Sequence, residues 1–188
     1  MSEYKILFID TETGGLDPNK NSLLSIGLVV WDNGTITDSL EILINDGRLD
    51  VTEYAIKVNK IDIEYHKIIA LNPSAAINRL NDFIASNFDS KKPVTLAGHN
   101  VGFDVAFLKR FYQLNGLEYN KQFSHRVIDT SSILQFLYYS EILQENISSS
   151  DAAFNYFSIP VEKRHSALGD ARATAELFNR LRWKVRHN

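Results

Sequence analysis

Two apolar runs near the start of the chain narrow its possible folds more than any other feature. YKILFID (residues 4–10) and LLSIGLVVWD (residues 23–32) are rich in Ile, Leu and Val and read as buried strands. Asn33-Gly34 then supplies a tight-turn dipeptide, and TITDSLEILIN places Ile36, Leu40, Ile42 and Ile44 on one parity, which predicts a hairpin with one buried face. Residues 45–72 contain no repeat or low-complexity tract and read as irregular, with a short helical turn around Tyr54 to Val58. Pro73 suits a first helical turn, and Ile77, Leu80, Phe83 and Ile84 recur at helical spacing behind it. KKPVTLAGHN reads as a short strand ended by Gly98, and VGFDVAFLKRFYQLNG as a helix stopped by Gly116. A brief strand (RVIDT), a helix (SSILQFLYY), a short helix capped within Ser148 to Ser150 and ended by Pro160, and a final helix from about Ser166 to Arg186 complete the chain. The order β-β-β-α-β-α-β-α-α predicts an α/β fold in which a mixed five-stranded sheet is flanked by helices.

Composition bounds the rest. The chain has 188 residues, 44% of them hydrophobic, enough for one ordinary domain spanning residues 1–188. Cysteine is absent, which excludes disulfides and thiolate metal sites and fits a reducing, cytoplasmic setting. MSEYK has no secretion-signal pattern and LLSIGLVVW is too short to span a bilayer, so no membrane partner is expected. The net charge of −3 argues against a polyanionic partner, yet Lys163, Arg164, Arg172, Arg180, Arg182, Lys184 and Arg186 all fall late in the chain. A solvated helix face is the default reading of such a run.

The acids call for more. In FIDTETGGLD, Asp10 and Glu12 lie at i and i+2, so both point to one face at the carboxyl end of a strand, the edge where open α/β sheets hold ligands. Gly14 and Gly15 let the backbone turn sharply behind them. Asp104, in LAGHNVGFD, opens a helix after a second strand, and its neighbours Phe103, Val105 and Phe107 are apolar, so its carboxylate needs a partner. His99 and Asn100 could each cap that helix. Asp170 opens the last helix, with His165 in the loop before it. Four clustered anions repel unless cations sit between them. An oxygen-only ligand set favours hard ions such as Mg²⁺ or Mn²⁺, and a pair of them about 3.5–4 Å apart suits in-line displacement at phosphorus. A histidine beside such ions has the intrinsic pKa, about 6.5, to take a proton from attacking water.

The ordered set FIDTETGGLD, GHNVGFDVAFL and HSALGDARATAELF resembles the three motifs of the DEDDh 3′-to-5′ exonucleases, which include the proofreading epsilon subunit of DNA polymerase III, ribonuclease T and oligoribonuclease. The resemblance spans nearly the whole chain and implies a ribonuclease H-like fold. It implies that Asp10 bridges two metal ions, that Glu12 and Asp170 complete the site of the first, that Asp104 serves the second directly or through water, and that His165 is the general base. It further implies substrate contacts from Thr11, Thr13, Gly14, His99, Asn100 and Phe103, with Glu12 and the backbone after it meeting the terminal 3′-hydroxyl. The implied activity is release of nucleoside 5′-monophosphates from single-stranded DNA or RNA 3′ ends, with a homodimer or polymerase association as candidate assemblies. Gly14 stands where many relatives carry a second threonine, AIKVNKIDIE matches the family's groove-bordering loop only loosely, and the epsilon subunit's polymerase-binding tail has no counterpart. Two alternatives remain: a non-catalytic nucleic-acid or polymerase-binding module of the same fold, and hydrolysis of a small phosphodiester.

Overall fold

The computed structural model describes residues 5–89, 91–147, 149–161 and 166–187. The five strands are β1 (Lys5–Thr13), β2 (Leu23–Asp32), β3 (Thr35–Leu43), β4 (Val94–Gly98) and β5 (Phe123–Asp129). They form one sheet in the order β3-β2-β1-β4-β5, antiparallel across β1–β2–β3 and parallel across β1–β4–β5. The helices are α1 (Glu53–Asn59), α2 (Ile63–Ile69), α3 (Pro73–Asn87), α4 (Gly102–Leu114), α5 (Thr130–Tyr139), α6 (Ser150–Tyr156) and α7 (Ala167–Arg186). The expected mixed sheet of five strands with flanking helices is therefore present. None of the described helices is long and apolar enough to cross a membrane.

Both faces of the central strands are covered, which explains why β1 and β2 read as continuous apolar runs. On one face, Leu7, Ile9, Ile26, Leu28 and Ile42 pack with Leu80 and Ile84 of α3 and Phe107, Leu108 and Phe111 of α4. On the other, Ile6, Phe8, Val29, Trp31 and Ala97 meet Ala171 and Ala175 of α7. Ala167, Ala171 and Ala175 recur every four residues and are fully buried, so α7 lies close against the sheet with no side chain to hold it off. Phe178 wedges between Phe8 and Trp31, at centroid distances of 5.6 and 5.4 Å, and Trp31 Nε1 donates to Asn179 Oδ1 at 2.8 Å. The far side of α7 closes a third apolar cluster with α5 and α6.

Two departures from the sequence reading matter for the site. Ile36 does not share a face with Leu40 and Ile42: Trp31 pairs with Ile36 but Val30 with Asp38, so Thr37 is an extra residue and the strand reverses parity across this bulge. Ile36 packs on the α7 side, Leu40 on the α3 side. The turn expected around Tyr54 to Val58 is present as α1, but the rest of residues 45–72 is less irregular than expected and also holds α2; the caps carry the signal, Thr52 accepting from the Ala55 N–H and Asp62 from the N–H groups of Glu64 and Tyr65. Between them Lys60 ends α1 in the left-handed region (φ 56°).

Candidate active site

Alternation along β1 sends Ile6, Phe8, Asp10 and Glu12 toward α7 and Leu7, Ile9, Thr11 and Thr13 toward α4. The apolar members anchor the strand in both cores, and its last turn of residues carries the chemistry. Ser166 caps α7, its hydroxyl accepting from the Gly169 N–H at 3.2 Å, and Asp170 follows in the first turn, where the helix dipole favours an anion. One carboxylate oxygen each from Asp10, Glu12 and Asp170 then lie within 4.8 Å of one another. Three acids that close repel unless positive charge is supplied, and their hard oxygen donors fit a divalent cation of the Mg²⁺ or Mn²⁺ kind.

Asp104 reaches the same strand end from the opposite face. It sits in the first turn of α4, is 4% exposed, and its Oδ1 accepts a 2.7 Å bond from Thr11 Oγ1, the hydroxyl between the two β1 acids. Thr11 is thus the partner its apolar surroundings demanded, and Asp104 lies outside the group of three converging oxygens. Burial raises its pKa from 3.8 to about 7; the bond from Thr11 opposes that rise and the negative charge of Asp129 adds to it. A carboxyl with a raised folded-state pKa contributes stability that is complete below its unfolded pKa and is lost as pH rises through the folded one. The metal-free protein should therefore lose stability between about pH 4 and pH 7, with a ceiling of about 4 kcal/mol for this group. Asp104→Asn, which keeps an acceptor for Thr11, should remove that loss, so thermal melts of the two proteins at pH 5 and pH 8 in chelator should diverge at the higher pH.

The remaining expected residues are dispersed around this centre. Thr13 Oγ1 donates to the Gly15 carbonyl at 2.7 Å. Gly14 exchanges backbone bonds with both flanking segments, its N–H donating to Ser22 and its carbonyl accepting from Thr52, and a Cβ there would collide with the Asp50 carbonyl. That close approach gives a physical reason for glycine at this position. Neither His99 nor Asn100 caps α4 with its side chain, since the N-cap is Val101 and makes no side-chain bond. His99 Nδ1 lies 3.1 Å from Thr130 Oγ1, whose single proton goes to the Gly98 carbonyl, so Nδ1 is the donor. Asn100 adopts φ 57°, and its N–H donates to Asp129 Oδ1. Phe103 packs on Phe107 at 5.0 Å. His165 lies outside the described residues.

Several site neighbours went unforeseen. A cleft of about 240 Å³ opens beside Glu12, with Glu41, Asn59, Lys60, Tyr65 and Ser166 among its walls. Asn59 is buried and its Nδ2 donates to the Thr13 carbonyl at 3.3 Å, tying α1 to the end of β1. The cap residues Thr52 and Asp62 were the available signal for both helices that build this wall.

The exonuclease (RNase_T) family profile matches residues 7–178. This chain belongs to the exonuclease family. Within that family it is 30% identical to ribonuclease T of Wigglesworthia glossinidia brevipalpis, over 94% of this chain and 84% of the relative. It is 26% identical to the PolC-type DNA polymerase III of Caldanaerobacter subterraneus subsp. tengcongensis, over 97% of this chain but only 12% of that much longer protein. Two solved structures share the fold at 16% identity. Exonuclease I of E. coli in complex with a dT13 oligonucleotide superposes with a TM-score of 0.82, covering 97% of this chain and 42% of that one. The nuclease domain of 3′hExo, a DEDDh family member bound to rAMP, superposes with a TM-score of 0.79, covering 97% and 93%. The fold is thus that of the ribonuclease H-like DEDDh exonucleases, and the chain is a 3′-to-5′ exonuclease of a divalent-metal-dependent family.

Proposed function

We propose that residues 1–188 form one exonuclease domain that removes nucleoside 5′-monophosphates from the 3′ ends of single-stranded nucleic acid, using two Mg²⁺ or Mn²⁺ ions and His165 as general base. The observation that carries this reading is the convergence of carboxylate oxygens from Asp10 and Glu12 on β1 with Asp170 on α7. Those three would hold one ion, with Asp10 shared toward a second that Asp104 serves. Bound there, the ions would supply Lewis-acid stabilisation of the attacking and leaving oxygens. The chain's own residues do the rest. Thr11 fixes the Asp104 carboxylate in position, Asp170 stands at the positive end of the α7 dipole, and the Glu12 cleft receives the terminal nucleotide beside Asn59 and Lys60. His165, directly before the Ser166 cap, would take a proton from the attacking water as the new P–O bond forms; the P–O bond to the penultimate nucleotide breaks, its 3′-oxygen takes a proton from solvent, and His165 returns its own to solvent. The solved neighbours are bound to a deoxyribonucleotide strand in one case and rAMP in the other, which supports a single-stranded polymer end as substrate. The polymerase kinship of the PolC-type relatives supports association with a polymerase as one assembly, a homodimer being the other.

The test is digestion of matched 5′-labelled DNA and RNA strands, single and double, with Mg²⁺, with Mn²⁺ and with chelator. A ladder shortening from the 3′ end with either ion, abolished by chelator, is expected. Strand binding without shortening under every ion would replace the nuclease with a binding module.

A further inference from the structure

We infer that the C-terminal half of α7 carries a second contact for the nucleic-acid strand, a cation-rimmed cleft walled by Trp183 that holds a segment several nucleotides upstream of the 3′ end. This rests on the nuclease reading above. Arg180, Trp183, Lys184 and His187 follow at i, i+3, i+4 and i+7, so one helix face gathers two cations and two aromatic rings. Trp183 is 61% exposed, and the His187 ring stacks on it at 4.5 Å with 19° between planes, its Nδ1 bonded to the Trp183 carbonyl at 2.8 Å. Opposite stand Phe157 and Ser158 at the end of α6, and with Arg180, Trp183 and Lys184 they enclose about 450 Å³.

Charge chooses the occupant. The chain as a whole carries −3, yet positions 180–187 hold Arg180, Arg182, Lys184 and Arg186 and no acid. Arg182 is committed elsewhere, its guanidinium lying 4.6 Å over the buried Trp31 ring, and Arg180 is partly offset by Glu176 at 3.3 Å. The cleft nonetheless offers cations beside a flat aromatic face, the combination by which single strands are held without reading sequence: phosphates on the cations, a base on the ring. An apolar protein segment would match the indole but leave the cationic rim unmatched.

Position links the cleft to the carboxylates. Trp183 lies thirteen residues beyond Asp170 on one continuous helix, about 20 Å at 1.5 Å per residue. At 100° per residue, Lys184 projects about 40°, Arg180 about 80° and Trp183 about 140° from the direction of Asp170, a direction that Leu177 and Leu181 fill with the apolar cluster under α5 and α6. A strand therefore reaches the cleft along the neighbouring flank of α7, the groove lined by Gly169, Arg172 and Glu176 that shares Glu41 and Ser166 with the Glu12 cleft. A span of about 20 Å corresponds to roughly six phosphates at the per-strand spacing of duplex DNA. Short oligonucleotides cannot reach it.

The experiment compares wild type, Arg180→Gln/Lys184→Gln and Trp183→Ala on a trinucleotide and a 20-mer. On the 20-mer, each variant should raise KM about tenfold with kcat unchanged, and the double variant should flatten the salt dependence of log(kcat/KM) by about 1.4, two single-strand phosphate contacts. On the trinucleotide both should match wild type within about twofold. Emission from Trp183 should be quenched by the 20-mer and not by the trinucleotide, and Trp183→Phe should abolish the quench while Trp31 reports an intact fold. Equal losses on both lengths, or no loss on the 20-mer, would overturn the assignment, the latter leaving the face to a protein partner. Failure of wild type to cut either length would instead remove the nuclease reading itself.

Discussion

Asp10→Asn should reduce turnover of a single-stranded oligonucleotide by at least about a thousandfold while leaving the fold intact. The side chain sits near the end of β1 and is one of the three whose carboxylate oxygens converge, and in the two-ion reading proposed above it is the acid that both ions would share. Divalent ions at a phosphoryl centre supply several kcal/mol of transition-state stabilisation, and each 1.36 kcal/mol is a factor of ten in rate. Loss of one central anionic ligand removes most of that. The same substitution relieves repulsion among Asp10, Glu12 and Asp170, so the metal-free variant should melt no lower than metal-free wild type. The two proteins should separate on adding Mg²⁺ or Mn²⁺: wild type gains melting temperature by mass action, and the variant gains little. A variant that melts lower in chelator and still responds to metal would show that Asp10 acts through packing rather than through ion binding. Kinetics and melts on the same preparation distinguish these outcomes.

How far the sequence announced all this depends on the range of the interaction that decides each feature. β1, β2, α3, α4 and α7 were legible because each is long and its periodicity reports burial directly, as in the run of buried positions along β2. The acids were legible because their order along the chain follows the ends of those elements. Of the two short helices, α1 was legible only as the turn around Tyr54 to Val58 and α2 not at all, since each has only seven residues and too few turns to develop an apolar stripe, so the caps Thr52 and Asp62 are what mark their starts. The bulge at Thr37 escaped for a related reason: counting by twos assumes that no residue is inserted, and one insertion sends Ile36 to the other face. The partnership of Thr11 with Asp104 and the tie from Asn59 to Thr13 join distant segments, and nothing local in either sequence reports them.

Gly27 is the extreme case, and it sets the second large prediction. It lies mid-strand in β2, directly opposite Asp10 in the β1–β2 pairing, and within an apolar run it reads as nothing more than a weak strand residue. The structure gives it a task. A Cβ at this position would come within 3.0 Å of the Ala167 carbonyl carbon and oxygen and of the Leu168 nitrogen, backbone atoms that cannot rotate aside. The missing side chain is therefore what lets the first turn of α7 settle on β2 and deliver Asp170 to Asp10 and Glu12. Gly27→Ala should push that turn outward while the deeper contacts of α7, Phe178 against Phe8 and Trp31 and the Trp31–Asn179 bond, hold the rest of the helix in place. Overpacking of this kind costs about 1–3 kcal/mol, so melting should fall without loss of the fold. A ligand displaced by about 1 Å costs roughly a hundredfold in rate, so activity measured well below the melting temperature should fall by about that factor, with a weakened response to metal. Gly102→Ala is the control for stability, because a Cβ at the start of α4 meets no atom within 4 Å and alanine favours a helix. If Gly27→Ala melts lower but keeps full activity and full metal response, the close approach of α7 to β2 serves packing alone and the carboxylates are assembled by the remainder of the helix.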